Sequence, residues 1–408
     1  MVFDVFFMNS CNYPAGPCPV MPEHILQSTS RTSAPRATPP PPSYLSQIAT
    51  IVLVTPGFFT PEGSARFAAR HPALAAQAFY RTTPAGAVSS LGLGTYLGKP
   101  DETTSARYVD SILAALQGGI NTFDTAINYR YTRSEQDLGE ALRRAFYENL
   151  AARDEVLIAT KAGFLTAGAV PSNLHPSHIA GDSHCLHPDF LADQIARSRA
   201  NLRLDTLDVF YLHNPETQLA HISMDKLEER LLDAFARLEQ LCAANHIRFY
   251  GAATWSAFRL KPGQPGRLSL PRILELARQA GGGDHHFRFL QLPFNLGMPE
   301  AFTLPHVLLD GEPVNVLEVA ASSGVTVVAS AALHQARLVN GIPRDLRARW
   351  NEPRSDAEFA LQFARSAPGV SFALAGMSQS AHVRENLGIG AYPPAPAESW
   401  LGVLQRER

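Results

Sequence analysis

Gly118-Gly119-Ile120-Asn121-Thr122-Phe123-Asp124-Thr125-Ala126-Ile127-Asn128-Tyr129 is the stretch whose reading decides the fold. It reads as the turn after a helix, a short buried strand ending at Asp124, and a loop that presents Tyr129. A polar residue at the C-terminal end of an apolar strand sits where alternating β/α enzymes do their chemistry. Two further strands end alike: VLIATK, from Val156 to Lys161, carries its charge last, and DVFYLH, from Asp208 to His213, carries its imidazole last. If these strands are parallel neighbours, Asp124, Tyr129, Lys161 and His213 converge at one rim.

On either side of this stretch strand and helix signals alternate. LGLGT from Leu91, FDTA from Phe123, VLIAT from Val156, DVFYL from Asp208, IRFYGAA from Ile247, FLQLP from Phe289, VTVVAS from Val325 and SFALAG from Ser371 read as strands, each followed by apolar residues at helical spacing. Strands and helices alternating in this number predict an α/β fold, a (β/α)₈ TIM barrel. The alternative is an open doubly wound sheet, which carries a Gly-rich phosphate turn directly before a helix. LGLGTYLG leads into Lys99-Pro100 instead, which makes it a weak match. The spacing over Pro61–Tyr80 predicts a helix despite Pro72, and the Pro-Ala-Gly turn within Tyr80–Ser90 predicts an N-terminal hairpin. Residues 61–408 are read as the barrel domain. Residues 1–60, with the run PRATPPPPS, are read as a disordered N-terminal extension of low complexity.

The formal charge of −2 gives no electrostatic case for nucleic acid or an anionic membrane, so the expected partner is a small molecule. No apolar run reaches the roughly 20 residues of a membrane span. Cys11, Cys18, Cys185 and Cys242 show no C-x-x-C pair and are read as free thiols in a reducing, cytoplasmic setting. The oligomeric state is not legible.

Tyr129 is the candidate general acid. A free phenol has a pKa of about 10 and needs a neighbour that stabilises its anion. Lys161 can supply that charge if Asp124 keeps it protonated, and His213 can hydrogen-bond the substrate oxygen. Taken singly, each has an ordinary reading: a strand-end Asp or Lys is often a surface ion pair, and a lone His is usually structural. Between Gly163 and Leu186 lies a long loop rich in Pro, Ser and His. His175, His178, His184, Cys185 and His187 are all metal-ligand types, but their spacings fit no regular zinc pattern. The loop is read as a lid over the substrate pocket, with no metal.

FDTAINY followed by SEQDLGEALR, then ATKAG and LDVFYLHNPE, resemble the signature segments of the aldo-keto reductases, in that family's order and at about its spacing; the likeness covers roughly residues 85–390. It implies a (β/α)₈ barrel whose catalytic residues are Asp124, Tyr129, Lys161 and His213, with Tyr129 protonating a carbonyl oxygen as hydride arrives from NADP(H), NAD(H) not being excluded. It also implies that Gln291, with Asn295 in the same segment, and Thr254 serve the nicotinamide carboxamide, although Ala253 and Thr254 stand where the family has Ser and Asn. Ser330 takes the place of a stacking aromatic residue. Gly376, Ser378, Glu385 and Asn386 correspond to the adenosine-phosphate segment, where Ser378 replaces a basic residue and Arg384 is the nearby cation. The expected activity is reduction of an aldehyde or ketone. The alternatives are a non-catalytic dinucleotide-binding barrel and a metal-dependent hydrolase.

Overall fold

The computed structural model describes residues 54–309 and 311–405. Its strands Leu91–Gly94, Thr122–Asp124, Leu157–Ala162, Leu207–His213, Ile247–Ala253, Phe287–Pro293, Thr326–Ser330 and Val370–Gly376 form one closed barrel. Each pairs in parallel with the next in the chain, and the last pairs with the first. The chain between them forms the helices Glu102–Gln117, Arg133–Tyr147, Pro188–Leu202, Met224–Ala243, Leu270–Gly281, Val316–Ser322 and Asp356–Ser366, and Ser380–Asn386 follows the last strand. The expected (β/α)₈ barrel is present.

The strands are buried on both sides, which is why they read as continuous apolar runs. Alternate residues nevertheless do different work, because successive side chains leave a strand on opposite faces. Leu157, Ala159, Val209, Tyr211, Phe289, Val328, Phe372 and Leu374 fill the barrel interior. Ile158, Phe210, Leu290 and Val327 belong to the layer that packs on the helices. Two residues beyond Ala159, Tyr211 and Phe289 come Lys161, His213 and Gln291. The same alternation that fills the interior therefore delivers them to its top.

The bottom is closed by an antiparallel hairpin, Tyr80–Thr83 with Gly86–Ser89, as the Pro-Ala-Gly turn predicts. Ala85 and Val88 reach into the interior, and Phe59, 5% exposed, joins them. The Phe59 amide donates to Asp208 Oδ1 at 2.7 Å, and the Thr55 amide donates to the Arg203 carbonyl at 2.8 Å. Residues 54–60 are thus part of the barrel floor, although the sequence reading assigned them to the extension; residues 1–53 lie outside the described residues.

The helix expected through Pro72 is two helices, Pro61–Ala69 and Pro72–Ala76. Proline lacks the N–H that a continuing helix needs and suits a first turn, so it starts a new helix instead of extending the old one. The segment Gly163–Leu186 contains a short hairpin, Ile179–Ala180 with His184–Cys185, and a bridge from Phe164 to His184. Among the described residues no helix is long and apolar enough to cross a membrane.

Candidate functional site

The opening stretch folds as its composition dictates. Gly119 adopts φ +95°, which favours glycine, and turns the chain out of helix Glu102–Gln117 into the second strand. That strand carries Asp124 to the rim, 5% exposed. From the next strand Lys161, fully buried, donates from Nζ to Asp124 Oδ1 at 2.5 Å and to the Thr125 carbonyl at 2.7 Å. Behind Lys161, Thr160 donates its hydroxyl to Glu135 at 2.6 Å, and Asn201 donates to the other oxygen of that carboxylate at 2.8 Å. Glu135 from SEQDLGEALR thereby ties the outer face of the lysine strand to its helices.

Tyr129 lies half-buried beside this pair, its ring centroid 4.8 Å from Lys161 Nζ. His213 meets the Tyr129 ring edge-on at 5.8 Å, and Tyr96 approaches it from another side at 4.9 Å. The structure thus brings all four expected catalytic side chains together at the C-terminal rim. Immediately after Tyr129 the chain makes a left-handed turn, with Arg130, Tyr131 and Thr132 at φ 50°, 56° and 71°. Arg130 holds it in place: buried, it donates to Asp137 at 2.5 Å and to the Lys99 carbonyl at 2.9 Å.

The electrostatics differ from the sequence expectation in one respect. Burial, then the negative charge of Asp124, push the Tyr129 phenol well above its ordinary pKa. Lys161 was expected to draw it down, but burial also pulls the Lys161 ammonium below the usual lysine range, and Asp124 opposes that shift. Burial and the nearby Lys161 push His213 well below the usual imidazole range, so it is neutral. The site accordingly holds a protonated phenol next to a neutral imidazole.

The expected cofactor residues form an arc from the fifth strand to the last helix. Thr254 follows the fifth strand, its amide donating to the Gln291 carbonyl at 2.9 Å. Gln291, on the sixth strand, donates its side-chain amide to Asp124 Oδ2 at 2.8 Å, so it supports the Lys161–Asp124 pair directly, a contact the sequence reading did not contain. Asn295 is buried and donates to the Ala331 carbonyl at 2.9 Å, tying together the loops after the sixth and seventh strands. Ser330 ends the seventh strand, and Gly376 ends the eighth with its backbone exposed. Ser378 is half-buried in the following loop, while Arg384 and Glu385 are exposed and Asn386 is buried on the last helix. Hydroxyls, amides, an open glycine and an exposed guanidinium along one rim fit a dinucleotide.

The histidines of the long loop do not form one cluster. His178 and His187 stack at 3.6 Å, whereas His184 is buried against the fourth strand. Among the described residues no group of three or more His, Cys, Asp or Glu is placed to hold a metal ion. Glu216 is a further residue the sequence did not single out: buried, it accepts from the Trp255 and Ser256 amides at 2.7 and 3.1 Å and fixes the loop that bears Thr254. Its place in LDVFYLHNPE was the only available signal.

Residues 90–261 match the model of the aldo/keto reductase family. An NADH-specific methylglyoxal reductase of Escherichia coli is 26% identical over 181 residues, 43% of this chain and 51% of that protein. A D-threo-aldose 1-dehydrogenase of Pseudomonas is 32% identical over 150 residues, 34% of this chain and 41% of that protein. The chain thus spans about half the length of the curated relatives it matches. Among solved structures, an aldo/keto reductase from Klebsiella pneumoniae in complex with NADP and acetate superposes with a TM-score of 0.56 at 20% identity, over 79% of this chain and 93% of that one. The holo form of an aldo-keto reductase from Bacillus halodurans gives 0.55 at 21%, over 80% and 95%. At such identities the likeness bears on the fold.

Proposed function

We propose, from the premise that this chain belongs to the aldo/keto reductase family, that it is an NAD(P)H-dependent oxidoreductase that reduces an aldehyde or ketone to an alcohol. One observation carries the reading: a fully buried lysine, bonded to Asp124 at 2.5 Å, lies against the face of a tyrosine that a neutral histidine meets edge-on. A buried charge is costly unless it is paired. A lysine paired in this way beside a phenol makes sense as an electrostatic support for a proton donor.

Thr254, Gln291, Ser330, Gly376, Ser378, Glu385 and Asn386 would hold the nicotinamide dinucleotide, which supplies the hydride when bound. Tyr129 gives its hydroxyl proton to the carbonyl oxygen as that oxygen gains charge, and takes a proton back from solvent. Lys161, kept in place by Asp124, stabilises the phenolate left behind. His213, neutral, donates an N–H to the substrate oxygen and so fixes its direction. Asp124 holds Lys161 and touches no substrate.

NADP(H) is the preferred cofactor, with Arg384 the cation available for its extra phosphate; Ser378 offers only a neutral hydrogen bond, so NAD(H) remains the competing choice. A cytoplasmic setting is part of the proposal, as are a barrel domain that takes in residues 54–60 and a small-molecule carbonyl partner. Ser330, Ser378 and Ala253 in place of the family's aromatic, basic and serine residues favour a second reading, a dinucleotide-binding barrel without turnover. A panel of aldehydes and ketones assayed with NADPH and with NADH separates the two. Oxidation of either cofactor on addition of a carbonyl supports the enzyme. Tight dinucleotide binding without turnover on any member of the panel sinks it in favour of the second reading.

A further inference from the structure

We propose that His184, from the long loop after the third strand, is a positioning residue for His213, and that it works through a one-way chain of hydrogen bonds that begins at Arg230. This rests on the role of His213 given above and concerns how that role is maintained.

His184 is fully buried. Its Nε2 lies 2.7 Å from the His213 carbonyl, and its Nδ1 lies 3.0 Å from Gln218 Nε2. Gln218 Oε1 in turn accepts from Arg230 at 2.7 Å. A guanidinium can only donate, which fixes the direction of every bond in the chain. Gln218 must offer its oxygen to Arg230 and its amide to His184; His184 Nδ1 must accept; the ring proton therefore sits on Nε2 and is donated to His213. The imidazole ring of His213 is gripped as well, because Phe164 packs edge-on against it at 5.1 Å and against His184 at 5.0 Å. Arg230 also donates to the Ser177 carbonyl at 3.2 Å, joining the loop and the relay at one residue. The fit is close: a Cβ on Gly163 would lie 2.6 Å from both His184 Nε2 and the His213 carbonyl oxygen. The charged or titratable groups facing His184 are Arg230 from helix Met224–Ala243 and His213 from the fourth strand.

Two variants test this. His184→Phe keeps a ring against Phe164 but removes both hydrogen bonds. Gln218→Glu keeps an acceptor for Arg230 but now demands a proton from His184 Nδ1. In that variant His184 can hold the His213 carbonyl only when it carries both protons, so the arrangement survives at low pH and fails as pH rises through the new pKa of His184. Misplacing a reacting group can cost up to about 10²-fold, and kcat for carbonyl reduction should fall about 10- to 100-fold in His184→Phe, with the Kd for NADPH unchanged. Gln218→Glu should lose kcat with rising pH where wild type does not. NMR of labelled histidines, recorded without substrate, should show the His213 signal displaced in both variants. Unchanged His213 signals, or a pH profile in Gln218→Glu that matches wild type, would overturn the proposal. If wild type turns over no carbonyl, the reductase reading fails, while the NMR comparison still decides whether His184 positions His213.

Discussion

Lys161 faces the Tyr129 ring directly, its Nζ 4.8 Å from the centroid, and substitutions at the two should differ in kind. Tyr129→Phe should lower carbonyl reduction by about 10²–10⁴-fold, the usual contribution of a general acid, while NADPH affinity and melting temperature hold, because the ring still fills its place. Lys161→Met removes the cation but leaves Asp124 buried, and stripping one partner from a buried pair costs about 3–5 kcal/mol; both turnover and melting temperature should fall. On the proposed mechanism, in which both act through one proton transfer, the double variant should lose less turnover than the product of the two losses; a full product would mean that the residues work separately. Titration of two buried histidines contributes to the acid side of stability. Burial lowers both His184 and His306 to about 4. Each has an unfolded pKa of about 6.5, so below that value the unfolded chain binds more protons, and stability present above pH ~6.5 is lost as pH falls toward 4. The urea midpoint should therefore decline between pH 7 and 4.5; a constant midpoint would mean that neither imidazole is held neutral. The convergence of Asp124, Lys161 and His213 was legible because each closes an apolar run, at or one residue before the end of its strand. The bond from Gln291 to Asp124 was not, since 167 positions separate the two and nothing local records their meeting.

The strands were the most legible elements, because a two-faced buried strand leaves a continuous apolar run in the sequence. The helix split at Pro72 was legible in principle, and the apolar spacing outweighed the proline in the reading. The loop from Gly163 to Leu186 was the least legible. Its histidines carry no periodicity, and their separate fates depend on which strand end each one meets: His184 is locked behind His213, while His178 and His187 stack on each other. Gly163 opens that loop in close contact with His184 and His213, and Gly163→Ala tests its packing. The added methyl would press on His184 and on the His213 carbonyl together, and overpacking of this kind costs about 1–3 kcal/mol. Thermal melts should show that loss along with reduced turnover. An alanine variant as stable and active as wild type would mean that the loop has room to yield.

At the scale of the whole molecule the barrel has one rim where Asp124, Lys161, Tyr129 and His213 gather and one end that is sealed. Phe59 belongs to the seal: its ring joins Ala85, Val88 and the interior side chains, while its amide meets Asp208, which also accepts from the Ile158 amide and from Arg153. Phe59→Ala should cost about 3–5 kcal/mol, in the range for large aromatic truncations, and chemical denaturation would measure it; an unchanged midpoint would mean that the floor closes without this ring. Composition alone did not reveal this, because residues 54–60 follow a proline-rich tract and look like its continuation. The bond between Phe59 and Asp208 has a further consequence, for synthesis. It joins residues 149 positions apart, the earlier made long before the later. At roughly 5–20 residues per second the ribosome needs roughly 7–30 s to cover that interval. Throughout it the Phe59 amide waits without its acceptor, so this part of the barrel floor cannot close until the fourth strand has been made.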